Sequence, residues 1–223
     1  MSEADLNLNP DATGFVLAGG RSSRMGEDKA LVRLGGQPLV SHALGILRGA
    51  GLTASLAGGS SALATFAPLI RDSQPGQGPL AGICAAIAST PARLTVFLPI
   101  DLPLLPASLI SLMLDHARNT GRPVTVPSVN GFAQTFPAVL DRIVLSGLES
   151  ELEAGQLGCF SALQAVAANL GSAVSVVPVE ALVQAGQVAH PEGLPVTRWF
   201  LNVNAPEGLR LAHEYCNLPY RVS

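Results

Sequence analysis

The first apolar run of the chain, Gly14-Phe15-Val16-Leu17-Ala18, stops at Gly19-Gly20, and this pattern predicts a buried strand that ends in a glycine loop. Ala30–Leu34 follows, then a Gly35-Gly36 turn and Pro38, which suits the first position of a helix running to about Arg48 and closed by Gly51. The rhythm then repeats. An apolar segment at Leu52–Ala57 precedes a glycine and serine loop, a short strand is expected near Leu69, and Pro79 opens an alanine-rich helix to about Ser89. Leu94–Leu98 is the clearest interior strand, because its unbroken apolar character fits a parallel strand covered on both faces; Pro106 starts the next helix, through about Arg118. Further strands are predicted at Val124–Pro127 and Val174–Pro178, with helices over Val139–Ala154, Phe160–Asn169 and Pro206–Tyr215.

Strands alternating with helices at this spacing predict an α/β protein: a single-domain, three-layer α/β/α, Rossmann-like arrangement with a mostly parallel sheet and helices on both faces. Sheets of that kind bind ligands beyond the carboxyl ends of their strands. With no internal repeat or linker in view, one domain is expected over 14–223, behind a loose, polar leader at Met1–Thr13.

Composition narrows the function classes. A chain of 223 residues can bury roughly 70% of its unfolded surface, so a full core forms without disulfides. Thirteen basic residues against sixteen acidic ones give a net charge of −3, and no window gathers the Lys and Arg needed to follow a nucleic-acid backbone. Cys84, Cys159 and Cys216 are odd in number and widely spaced, as expected of reduced, buried thiols. The N-terminal stretch has neither a basic n-region nor an apolar core, so it is not a secretory signal, and a cytoplasmic location is expected. Val96–Leu114 is the most apolar window, yet Asp101, Pro99, Pro103 and Pro106 make a strand, turn and helix a better reading than a membrane span.

The chemistry concentrates at strand ends. In Leu17-Ala18-Gly19-Gly20-Arg21-Ser22-Ser23-Arg24-Met25-Gly26-Glu27-Asp28-Lys29 the paired glycines leave backbone N–H groups free to form an anion-binding concavity. Arg21, Arg24 and Lys29 add the positive charge that a triphosphate requires. The segment is neither a Walker A loop nor GxGxxG, and the same residues also suit a glycine turn with a solvated basic rim. Pro99-Ile100-Asp101-Leu102-Pro103 sets a lone carboxylate just past the interior strand, where it suits Mg²⁺, a cation that takes one or two protein carboxylates plus phosphates and water. Asp72 and Gly78 flank a second glycine-rich loop whose helix amides, Pro79–Ala81, could face a ribose or phosphate; an ordinary turn aspartate fits Asp72 nearly as well. Asn204, at another strand-to-helix junction, suits either a metal shell or a cap for the helix begun by Pro206. His42, His116, His190 and His213 are scattered and read as solvated, and no nucleophile for covalent catalysis is visible.

With those residues in view, the chain resembles the MobA-like nucleotidyltransferase family, most closely its molybdenum cofactor guanylyltransferases. The likeness runs from Gly14 to about Tyr215 and rests on four segments in the family's order: Leu17–Lys29, Gly78-Pro79-Leu80-Ala81-Gly82, Asp101-Leu102-Pro103, and Asn202–Glu207. The resemblance implies that Leu17, Ala18 and Gly19 contact the nucleotide, that Lys29 holds its phosphates, that Asp72 contacts the nucleotide and that Asp101 binds Mg²⁺. It implies GMP transfer from GTP to a molybdopterin-type acceptor, with Arg24 and Lys29 stabilising the pyrophosphate leaving group. Related chemistry with CTP or a sugar-phosphate acceptor, or a nucleotide-binding module without turnover, are the competing expectations. The chain departs from the family pattern at Ile100, where Cys is frequent, at Gly58-Gly59, where Asn is frequent, and at Ala205 and Gly208.

Overall fold

A computed structural model describes residues 9–19, 28–71, 78–156, 158–204 and 206–216. Its axis is β1 (Ala12–Leu17), buried at all six positions, as the unbroken apolar run requires. A small hairpin of β2 (Arg33–Leu34) and β3 (Gln37–Pro38) turns at Gly35-Gly36 and feeds α1 (Leu39–Gly49). Pro38 is the extended residue that precedes this helix, φ −61° and ψ 147°, rather than its first residue. Pro106 does the same for α3 (Ala107–Thr120). Both prolines end an extended segment with the φ a helix start needs and with no N–H to leave unsatisfied.

The chain continues through β4 (Thr53–Ala57), β5 (Leu69–Ile70), α2 (Gly78–Ala88), β6 (Leu94–Pro99), α3 (Ala107–Thr120), β7 (Val124–Val129), β8 (Phe132–Ala133) and β9 (Ala138–Asp141). Helices α4 (Leu145–Glu153) and α5 (Cys159–Asn169), strand β10 (Ser175–Pro178), and α6 (Val179–Gln184), α7 (Val196–Trp199) and α8 (Pro206–Cys216) complete it. The main sheet has the order β10-β7-β9-β6-β1-β4-β5, with β8 paired to β7. Strands β6, β1, β4 and β5 are parallel, as is the β7–β10 pair, while β9 runs against β6 and β7 and β8 runs against β7. The sheet is therefore mostly parallel and mixed, with helices on both faces.

Alternation along β1 divides the core. Val16 and Ala18 pack with α1, α3, Trp199 and Ala212 on one face. Phe15 and Leu17 pack with α2, α4 and α5 on the other, where Phe15 stacks on Phe97 at 5.7 Å between ring centroids. Each fully buried Leu, Val or Phe contributes on the order of 1.5–3 kcal/mol, and Cys84 and Cys159 in the second core are free thiols.

The helix predicted over Val139–Ala154 is in its first part a strand: Ala138 and Leu140 face one core and Val139 the other, the alternation of β9. Asp141 then turns the chain, accepting from the Ile143 N–H at 3.1 Å and pairing with Arg93 at 2.9 Å, and helix α4 starts at Leu145. The leader expected over Met1–Thr13 gives way to the fold by Asn9, whose N–H donates to the Gly51 carbonyl at 3.0 Å. Arg118 pairs with Asp11 at 2.6 Å and holds its carboxyl below the usual carboxylate range, mainly through their hydrogen bond. Within Val96–Leu114 the chain is strand, turn and helix, and among the described residues no helix is long and apolar enough to cross a membrane.

Candidate functional site

Register places four strand ends at one edge. Leu17 pairs with both Pro99 and Ala57, and Ala57 with Ile70, so the segments after β1, β6, β4 and β5 all leave the sheet at the same height. Gly19, Asp101, Gly58-Gly59 and Arg71 follow directly. The strand ends that the sequence assigns to a ligand crevice therefore meet at the carboxyl edge, where open α/β sheets bind ligands.

Leu17 and Ala18 have buried side chains on opposite faces, so only their backbone can meet a ligand. The Leu17 carbonyl accepts from the Ile100 N–H at 3.3 Å and the Ala18 N–H donates to Ala57 at 3.1 Å, which ties the three strand ends together. Gly19 is exposed and lies against the β4 loop, where a Cβ would come within 3.8 Å of Gly58 Cα. Gly59 is required there: its φ is +99°, and a Cβ would sit 2.8 Å from Leu63 Cδ1 and 3.2 Å from the Ala18 carbonyl oxygen. Gly78 is exposed at the start of α2, whose N-terminal amides open on this edge. Gly20, Arg24 and Asp72, together with Arg21, lie outside the described residues.

The central cluster joins three remote segments. Lys29 Nζ donates to Asp101 Oδ2 at 3.2 Å and also to Asn204 Oδ1, across 72 and 175 residues of sequence. Lys29 is the first residue of a short 3₁₀ turn, Lys29–Leu31, capped by Asp28, whose Oδ1 accepts from the Ala30 N–H at 3.1 Å. Asp28 Oδ2 accepts from Ser60 Oγ at 2.8 Å, which fastens this turn to the Gly58-Gly59 loop. Asp101 is held from behind, since its carbonyl accepts the Val203 N–H at 2.9 Å and so docks the Asn202–Asn204 segment beside it. The side chains of Lys29 and Asp101 are only 18% and 20% exposed, so water screens the pair incompletely.

An ammonium group between Asp101 Oδ2 and Asn204 Oδ1 shows that two oxygens from different segments converge on one cation. Two hard oxygen donors suit Mg²⁺ or a similar divalent ion that draws its other ligands from phosphates and water. Among the described residues no group of three or more His, Cys, Asp or Glu gathers as a metal cage.

Sequence reading misses the parts played by Asp28 and Ser60. The signal for Asp28 is local, an Asp immediately before a short helical turn in a position that caps. For Ser60 there is none, because its partner lies 32 residues away. The histidines differ from expectation too: none of the four is fully exposed, and His42 contacts the Leu34 carbonyl at 2.8 Å, His116 contacts Ser175 Oγ at 2.8 Å and His190 contacts the Leu104 carbonyl at 3.1 Å. Burial lowers the pKa of His190. Cys84 and Cys159 are buried, and desolvation pushes both thiols up to about 11, which keeps them protonated and unreactive.

Comparisons with known proteins identify the family and the fold. The model of the MobA-like NTP transferase domain matches residues 14–179. A probable molybdenum cofactor guanylyltransferase of Haloferax mediterranei is 29% identical over 217 residues, covering 93% of this chain and 96% of that protein. A molybdenum cofactor guanylyltransferase of Xanthomonas euvesicatoria pv. vesicatoria is 44% identical over 110 residues; there the match spans 49% of this chain and 57% of the relative. Among solved structures, molybdopterin-guanine dinucleotide biosynthesis protein A from Archaeoglobus fulgidus superposes with a TM-score of 0.73 at 22% identity, over 92% of this chain and 98% of that one, a likeness of fold.

Proposed function

The chain belongs to the MobA-like NTP transferase family, and from that premise we propose that it is a molybdenum cofactor guanylyltransferase, moving GMP from GTP to Mo-molybdopterin and releasing pyrophosphate. The observation that carries the reading is the meeting of Lys29, Asp101 and Asn204 at the edge where β1 and β6 end. A cationic group and a hard-cation site at one point are what a polyphosphate needs to be held and turned.

In the proposed reaction a terminal phosphate oxygen of the acceptor attacks the α-phosphorus of GTP in line, and the bond to the β,γ-pyrophosphate breaks. Backbone at Leu17, Ala18, Gly19 and Gly20, with Asp72 and the Gly78 helix start, holds the nucleotide. Asp101 and Asn204 would hold Mg²⁺, which neutralises phosphate charge and fixes the α-phosphoryl group for attack. Lys29 moves from Asp101 to the phosphates as they arrive, and with Arg24 it stabilises the charge that accumulates on pyrophosphate. Asp28 positions Lys29 through the cap it makes and through Ser60. Family membership and the absence of a Lys and Arg cluster in the sequence also support a small-molecule acceptor rather than a nucleic-acid partner.

The test is pyrophosphate release with each of the four NTPs, Mg²⁺, and molybdopterin or a sugar phosphate as acceptor. Release with GTP and molybdopterin is expected. Release with CTP in its place, or with the sugar phosphate, would overturn the base or acceptor assignment, and no release with any pair would overturn the transfer itself. Ligand at 100 times its dissociation constant adds about 2.7 kcal/mol of stability, so a GTP-specific rise in melting temperature reports binding separately.

A further inference from the structure

Among the described residues every Phe, Tyr and Trp packs into one of the two cores except Phe132, which is 74% exposed. Phe132 stands at the tip of the β7–β8 hairpin, beside a two-residue turn in which Asn130 has φ 53° and Gly131 φ 77°, the geometry that suits tight hairpins.

Register shows where the ring stands. Val124 and Thr95 share the partner Leu140, and Thr125 and Val96 share Val139, so β7 and β6 are level and Val129 reaches the height of Ile100. Phe132 pairs with Val129. The far edge of β7 is taken by β10 through Ser128 and Pro178, so β8 must lie on the near edge, continuing the column of β9 toward the crevice. Phe132 is therefore on the β6 side of β7, level with the residue before Asp101. Paired residues share a face, and Val129 packs in the same core as Val203, so Phe132 is also on the face of the Asn202–Asn204 segment.

The nucleotide-side loops, Gly19, Gly58-Gly59 and the start of α2, come from strands on the other side of β6. Asp101 thus lies between two neighbourhoods, one built of glycine and backbone amides and one marked by a bare aromatic ring. We infer that Phe132 is a stacking platform for the flat heterocycle of the acceptor and selects planar acceptors over sugar phosphates. This inference deepens the transferase reading and rests on it for the identity of the acceptor.

The hairpin is stiff enough for the task. The Asn130 N–H donates to Glu180 Oε1 at 2.6 Å, the Gln134 N–H to the Pro127 carbonyl at 2.8 Å, and Gln134 Nε2 to the Phe132 carbonyl at 3.0 Å. A preorganised ring loses little entropy on stacking, and such contacts weaken binding by about tenfold or more when truncated to Ala.

The test is a fluorescence titration with a pterin carrying a side-chain phosphomonoester, using the wild type, Phe132→Ala and Phe132→Tyr, whose melting temperatures should coincide because the site is exposed. Phe132→Ala is expected to bind the probe about tenfold more weakly, with Phe132→Tyr within about twofold of wild type. No binding by the wild type, or equal binding by Phe132→Ala, overturns the inference. The two readings fail separately: binding that depends on Phe132 without pyrophosphate release sinks the transfer alone, and release whose acceptor KM is indifferent to Phe132 sinks the platform alone.

Discussion

Strands β6, β1, β4 and β5 run in one direction and end at one edge, whereas β9 and β8 run against their neighbours in the other half of the sheet. In the parallel half four strands end at the same height, and Gly19 after β1 lies against Gly58 after β4. The antiparallel half delivers a hairpin that rises beside the crevice and carries a side chain into solvent. The difference teaches how labour divides in the proposed enzyme: backbone and fixed charge hold polyphosphate in the first half, and a side chain on a rigid support reads the acceptor in the second.

The comparison breaks first at its junction. Asp101→Ala should reduce turnover by about 10³-fold or more while leaving the melting temperature little changed, because only one ion pair is lost. Steady-state pyrophosphate release measures this, and a fully active variant would remove Asp101 from the proposed mechanism. In the antiparallel half, Leu140→Ala should cost about 2–5 kcal/mol in denaturant unfolding, since Leu140 is fully buried in the middle of the sheet. A cost below about 1 kcal/mol would contradict the placement of β9.

In the parallel half, Gly59→Ala should cost about 1–3 kcal/mol, because alanine must adopt φ +99° and push against Leu63 and the Ala18 carbonyl. It should also weaken GTP, and a variant as stable as wild type with unchanged GTP affinity would show that the Gly19 loop does not depend on this contact. The smallest effect concerns Cys84 and Cys159 beneath the sheet. Burial raises both thiols from 9.0 to about 11, so their contribution to stability is full below pH 9 and is lost as pH rises through about 11. Native protein should resist alkylation at both positions at pH 8, and rapid labelling there would mean that the α2–α5 face opens.

How much of this is legible in the chain depends on sequence distance. Gly14–Ala18 with its glycine stop, Leu94–Leu98 with Asp101 after it, and the prolines before α1 and α3 can be read because each signal lies within a few residues of what it controls. The strand at Ala138–Asp141 cannot be read, because four apolar-rich residues carry no decisive period and their strand character comes from pairing with residues 94–97 and 124–125. Local chemistry likewise cannot tell whether Asn204 caps a helix or meets Lys29, because the answer lies 175 residues upstream.

By itself, then, the sequence determined the alternation of strands and helices, the aliphatic core, and the residue types at each strand end, all of which follow from short-range sterics and from the burial of apolar runs. Tertiary structure alone decided the direction of β9, the bond from Ser60 to Asp28, the convergence of Lys29, Asp101 and Asn204, and the height of Phe132 beside the crevice. Strand register and loop docking depend on contacts between segments far apart in the chain, and no local pattern of residues encodes which distant partner will be met.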